Sequence, residues 1–205
     1  MQKPSLYNRW IEVSHRRIAD APFLFGLKLE QYVNAAIVQW HRIQQDDAMT
    51  WAAMDEDFGL LHEGGAPTPE VMQLLRVRYF ADIHSFLIMV DKAQILFRGL
   101  VKADGGADLQ GLWERSKIFL KRYNDFRNDL EHIDERIARG LVEPGITDLG
   151  NVLNDTYTFS GKIMDIGPEG LKFLTDMYDE ILAVVAARPK RPSQPEAPPG
   201  NSGAE

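Results

Sequence analysis

The sequence predicts an all-α, antiparallel helical bundle carrying one small β-hairpin near residues 156–166. Three observations predict it. Apolar residues recur at steps of three and four through several long segments, which is the period of an amphipathic helix. The short Gly-containing stretch Lys102–Ala107 separates two of these segments, and turns of that length join antiparallel neighbours. Only one stretch, Thr156–Ile166, alternates aromatic and polar residues as a strand does. With 205 residues, 44% of them hydrophobic, the chain suffices for one core of ordinary size.

Taken in order, residues 5–20 read as a short helix or turn, broken at Pro22. From Phe23 to Gln45, the positions Leu24, Leu27, Tyr32, Ala36, Val38 and Ile43 fit a helix better than a strand. Residues 48–60 place Trp51, Met54 and Phe58 at helical spacing without deciding between helix and loop. The segment His62–Pro69, HEGGAPTP, is a loop by its Gly and Pro content. Thr68-Pro69-Glu70 then opens a long helix, with Thr as cap, Pro at the first position and an acid in the first turn. Its stripe runs Leu75, Tyr79, Ile83, Phe86, Val90, Ala93, Phe97, Leu100, widened by Leu87, Ile88, Met89 and Leu96. A helix so apolar is covered on more than one side, by the bundle or by a second subunit.

After the Lys102–Ala107 turn, the next helix spans about Leu109 to Ile137. Its inward seam is Leu109, Leu112, Ser116, Phe119, Tyr123, Phe126, Leu130, Ile133 and Ile137, with Arg139-Gly140 as the stop. In Thr156–Ile166 the pair Ser160-Gly161 supplies the hairpin turn. Pro168 and Glu169 open a last helix to about Ala187, burying Leu171, Leu174, Met177 or Tyr178, Ile181, Leu182 and Val185. Residues 1–187 are thus expected to form a single helical domain. Residues 188–205, RPKRPSQPEAPPGNSGAE, are expected to be a disordered Pro-rich tail.

Composition excludes several chemistries. The chain has no cysteine, so disulfides, thiolate metal sites and a cysteine nucleophile are impossible. A net charge of −7 argues against a non-specific grip on nucleic acid, without excluding a local basic patch. The first residues, MQKPSLYNRWIEV, lack an apolar signal core, and apolar runs such as Phe86–Val90 are far short of the roughly 18 residues a membrane span needs. A cytoplasmic protein with no membrane association and no cofactor is the expectation.

The informative stretch is Tyr123–Arg136, YNDFRNDLEHIDER. With Phe126 at the centre of the inward face and about 100° per residue, Leu130, Ile133 and Ile137 fall within roughly 40° of it. Asn128 and His132 lie about 160° and 120° away, four residues apart and therefore surface neighbours. Arg127 sits on the flank near Glu131. An imidazole titrating near neutrality can move protons at a ribose 2′-hydroxyl or a leaving oxygen. A guanidinium holds a phosphate and stabilises the charge that grows on it. Asn128 would orient the phosphate or the imidazole. RNA brings its own 2′-hydroxyl nucleophile, so this chemistry requires no metal.

The same surface, with Asn124, Asp125, Asp129, Glu131, Asp134, Glu135 and Arg136, is also what a solvated, ion-paired helix presents. Its carboxylates repel phosphate unless cations offset them. A di-iron bundle would need Glu-x-x-His on two helices; the i, i+3 pairs Asp129…His132 and His132…Glu135 are not of that form, and the chain has a single Glu-x-x-His, Glu12…His15.

Arg127-Asn128-Asp129-Leu130-Glu131-His132 resembles the signature of HEPN domains, an Arg, then four to six residues, then a His, often with a polar residue directly after the Arg. The resemblance covers about residues 69–139. It implies a helical bundle whose motif lies on a late helix of an antiparallel pair, with Arg127, Asn128 and His132 as site residues. It also implies metal-independent endoribonuclease activity of a toxin or defence type, in a homodimer whose two motifs build one composite cleft. Arg9…His15 and Arg78…His84 satisfy the loose spacing too, but lack the Asn and the outward setting. His84 is expected to pack in an apolar environment, with Asp82, His84 and Asp91 available as secondary polar contacts. The alternative is a catalytically inactive helical interaction module that dimerises through the apolar helix at 69–100 or binds a protein partner, such as a neutralising protein of antitoxin type, or a nucleotide.

Overall fold

The computed structural model describes residues 9–14, 20–57, 69–132, 151–153, 156–159 and 162–188. The elements are α1 (Arg9–Ser14), α2 (Ala21–Asp57), α3 (Pro69–Asp104), α4 (Ala107–Glu131), β1 (Asn151–Leu153), β2 (Thr156–Phe159), β3 (Lys162–Asp165) and α5 (Pro168–Ala186). The class is all-α, a helical bundle with a small sheet on one flank.

Helices α2 and α3 form the longest antiparallel pair. Near one end, the Phe25 ring lies where a Cβ on Gly99 would sit, so the missing side chain lets the two helices close. Further along, Gln39 and Arg42 of α2 reach Asp82 of α3. The buried face of α2 is Phe23, Leu29, Val33, Ala36, Ile37, Trp40 and Ile43. Of the apolar positions whose spacing pointed to a helix, Ala36 and Ile43 are buried, but Leu24 and Val38 are exposed. They lie off the 29-33-36-40-43 row that meets α3. Residues 48–57, ambiguous in sequence, continue α2 without a break.

Helix α3 begins at Pro69 as expected and buries Ile83, Phe86, Leu87, Val90, Ala93, Phe97, Leu100 and Val101. Gly105, with φ of 71°, turns the chain back, a conformation glycine adopts without the strain other residues incur. Helix α4 then runs antiparallel to α3, with Trp113 against Phe97 and Tyr123 against Phe86, both edge-on. Its seam is Leu109, Leu112, Ser116, Leu120, Tyr123, Phe126 and Leu130. Leu120 takes the place expected of Phe119, which is half-buried and stacks on Phe173 of α5 at 3.7 Å. Helix α4 ends at Glu131, with His132 as its C-cap. The expected continuation through Ile133 and Ile137 to Arg139-Gly140 lies outside the described residues, as does the expected loop at 62–68.

The β2–β3 hairpin is present, with Thr156 opposite Asp165 and Phe159 opposite Lys162. An additional strand, β1, pairs antiparallel with β2, making a three-stranded meander in the order β1-β2-β3. Tyr157 and Met164, cross-strand partners, are buried, and Tyr157 meets Phe126 of α4. The Tyr123 hydroxyl donates to the Asp165 carbonyl at 3.1 Å, and Trp40 Nε1 donates to the Ile166 carbonyl at 2.8 Å. The sheet is therefore bolted to both α4 and α2. Pro168 opens α5 at its first turn.

Two additions refine the expected boundaries. Helix α1 is docked through Trp10, whose indole occupies the space over Gly26, while buried Glu30 accepts the Trp10 backbone N–H at 3.1 Å. Arg188, assigned in sequence to the tail, is also docked: its guanidinium pairs with Asp104 and Asp108, each at 2.5 Å, across the α3–α4 turn. Residues 189–205 lie outside the described ones. Among the described residues, no helix is long and apolar enough to cross a membrane.

Candidate functional site

Helix α4 places its C-terminal turns between α3 on one side and the sheet on the other. Asn124 and Arg127, three residues apart, lie on the flank that faces α3. There they meet Asp91, a carboxylate sealed within the apolar run of α3 with 1% exposure. Asp91 accepts from Arg127 Nη1 at 2.8 Å and from Asn124 Nδ2 at 2.5 Å. Both of its oxygens are thus used, which is what a buried carboxylate needs to remain charged.

The second terminal nitrogen of Arg127, Nη2, donates to Glu131 one turn along α4. That hydrogen bond, more than the coulombic attraction, holds the Glu131 carboxyl below its ordinary range, and His84 and His132 add to the lowering. Glu131 is therefore a node with a guanidinium and two imidazoles in its field. His84 belongs to α3 and is half-buried, with Phe80 tilted against it at 6.4 Å and its Nε2 sealed from solvent without a partner. Hydrogen bonding to Glu131 raises the guanidinium's own proton affinity, and burial opposes this.

Each expected site residue can be placed. Arg127 is half-buried on the flank, anchored to α3. Asn128 is exposed and donates to Asn124 Oδ1 at 2.9 Å, so it extends the polar row that starts at Asp91. His132 is exposed and caps the helix, its backbone N–H bonded to the Asn128 carbonyl at 3.1 Å. All three share one end of α4, and the imidazole is outside the apolar interior. On the other flank Asp129 pairs with Lys162 of β3 at 2.5 Å.

Of the three secondary contacts expected, Asp91 is in the site and His84 acts on it through Glu131. Asp82 is not there: it faces α2 and is held by Gln39 and Arg42. The sequence reading assigned no role to Asn124, and placed Glu131 near Arg127 without making it part of the site. A signal for Asn124 existed in its i, i−3 spacing from Arg127. The pairing of Glu131 with Arg127 follows from their i, i+4 spacing. Among the described residues, no group of three or more His, Asp or Glu side chains is placed to hold a metal ion.

The arrangement offers a guanidinium held rigidly from below, a carboxamide beside it and an exposed imidazole within two helical turns. Such a set can bind an oxyanion and transfer a proton. Comparisons with protein-family models, with curated proteins and with solved structures return no match.

Proposed function

We propose that this chain is a HEPN-like, metal-independent endoribonuclease of toxin or defence type, acting as a homodimer with a composite site built from Arg127, Asn128 and His132. The observation that carries the reading is the contrast between two side chains five residues apart. Arg127 is fixed to the buried Asp91, and His132 is left exposed at the end of the same helix. A guanidinium that is already oriented loses little freedom on meeting a phosphate. An exposed imidazole reaches a substrate that a buried one does not.

In the proposed reaction one imidazole takes the proton of the ribose 2′-hydroxyl, whose oxygen attacks the adjacent phosphorus. The bond to the 5′-oxygen breaks, and the second subunit's imidazole returns a proton to that leaving oxygen. Arg127 stabilises the charge that accumulates on the non-bridging oxygens. The products are a 2′,3′-cyclic phosphate and a 5′-hydroxyl.

The test is a panel of structured and unstructured RNAs incubated with purified protein in excess chelator, with the product ends identified. Fragments ending in cyclic phosphate, and their loss in His132→Ala, are expected. RNA left whole by the wild type contradicts the reading.

A second reading, a catalytically inactive module that binds a protein partner or nucleotide, is favoured by one specific observation. Leu74, Val77 and Phe80, three residues apart along α3 and leading toward His84, are all exposed. Exposed apolar residues aligned on one helix suit a protein contact. Binding of a partner with uncut RNA would support this reading over the first.

A further inference from the structure

The guanidinium of Arg127 has two edges, and they are occupied unequally. Nη1 is committed to Asp91, which is buried, anchored on another helix and shared with Asn124. Along the other edge, Nε and Nη2 point to the same side. Nη2 is bonded to Glu131, whereas Nε is sealed from solvent and has no partner. An arginine edge with one N–H unmet is incomplete, because the side-on pair of N–H groups is shaped for two oxygens of one carboxylate or phosphate.

The partners on the two edges also differ in how firmly they are held. The Asp91 side chain is 2% exposed and that of Glu131 is 32% exposed. Glu131 sits one turn along on the same helix, so its hold is an ordinary i, i+4 pair, weak enough to exchange. Asp91 has no comparable freedom, since releasing Arg127 would leave a buried charge without its cation.

We infer that the Nε/Nη2 edge of Arg127 is a seat for a phosphodiester oxyanion, and that Glu131 is a displaceable cap over it, exchanged for the phosphate when the ligand arrives. Resting on the nuclease reading above, this assigns the anion's position and adds a regulator to the same site. The incoming phosphate makes two hydrogen bonds where Glu131 makes one, satisfying the Nε–H. His84 and His132 lie in the field of the departing carboxylate. Displacement moves Glu131 off the guanidinium while leaving its charge close to the imidazoles. Capping in the free state explains how an acidic chain presents a phosphate-binding arginine only to a ligand able to compete for it.

The experiment uses the full chain and a 2′-O-methyl oligoribonucleotide, which binds but has no nucleophile. Removing the cap with Glu131→Gln is expected to tighten binding about two- to fivefold, the worth of an exposed ion pair. Asp125→Asn removes an exposed charge on the same helix, paired with Lys121 rather than with Arg127, and is expected to change binding less. Arg127→Lys keeps the charge but lacks the two-pronged edge, and is expected to weaken binding while the protein stays folded. In the wild type the Arg127 Nε resonance should shift on titration with the probe. The cap is overturned if Glu131→Gln binds no tighter than the wild type, if Asp125→Asn tightens binding equally, or if the Nε resonance does not move. If both Arg127→Lys and Arg127→Ala bind as the wild type does, the nuclease reading itself loses its arginine, an outcome distinct from failure of the cap alone.

Discussion

Arg127 owes its position to Asp91, and the pair shows how a charge enters a helical core at acceptable cost. A lone buried carboxylate would be expelled or neutralised. Here a guanidinium and a carboxamide from one neighbouring helix meet both of its oxygens. Replacing Asp91 with Ala removes one member of a pair that is buried on its own side only. The expected loss is about 3 kcal/mol, the low end for such pairs, because Arg127 keeps Glu131 and partial access to water. Urea denaturation of the variant checks this, and an unchanged midpoint would show that the pair does not anchor the helix. Glu131→Gln, which touches only the edge away from Asp91 and removes a partly exposed partner, should cost a few tenths of a kcal/mol. Periodicity made Arg127, Asn128 and His132 legible as a cluster at one end of a helix. It did not show that Asp91, 36 residues away, is the anchor of Arg127, because a contact between helices leaves no local signal.

At the scale of elements, helix starts and turns were the most legible features, since their chemistry is local. Pro69 and Pro168 open helices where a missing N–H does no harm, and Gly105 turns the chain at positive φ. The hairpin was legible from its alternation and from the Ser160-Gly161 dipeptide as a sequence signal, whose residues lie outside the described ones. Strand β1, only three residues long, carries too little pattern to read alone and forms because β2 offers it a free edge. The inward faces of α2 and α4 were harder. A helix with apolar residues on several faces does not declare which row meets its neighbour: the apolar set of α2 mixes buried Ala36 and Ile43 with exposed Leu24 and Val38, and in α4 Leu120 was passed over for Phe119. This assignment is open to mutation. Leu120→Ala should destabilise by about 2–5 kcal/mol, the usual range for a fully buried leucine. Ile118→Ala, two residues away and 65% exposed, should stay within about 0.5 kcal/mol. Thermal or urea unfolding of the two variants distinguishes them, and equal losses would contradict the α4 register.

For the whole molecule, three phenols report on how the layers close. Burial pushes the Tyr157 hydroxyl up to about 12. Burial raises Tyr123 as well, with the Asp165 carboxylate adding to it. Tyr178, between α5 and α2, is raised by burial and then by Glu30. In the unfolded chain these groups lose their protons near pH 10, whereas the folded protein holds them. Above that value the native state binds more protons, and stability falls as pH rises. The contribution is fully present below pH 10 and lost progressively above it. An alkaline titration followed by phenolate absorbance should show at least three of the six tyrosines ionising only as the protein unfolds. Six phenols titrating together near pH 10 in a folded chain would contradict the closed packing of sheet and α5. Closure of this kind also matters for the site, since the sheet, through Lys162 and Tyr157, and α3, through Asp91, brace the last turns of α4 from both sides.

The central claim is that the imidazole at the end of α4 does chemistry. The most direct test is the rate of RNA cleavage in chelator by the wild type and by His132→Ala, at matched concentration and with unfolding midpoints recorded for both. A proton-transfer role predicts a loss of at least about 100-fold with the midpoint unchanged, because the side chain is exposed. A variant that cuts within a few-fold of the wild-type rate would contradict it.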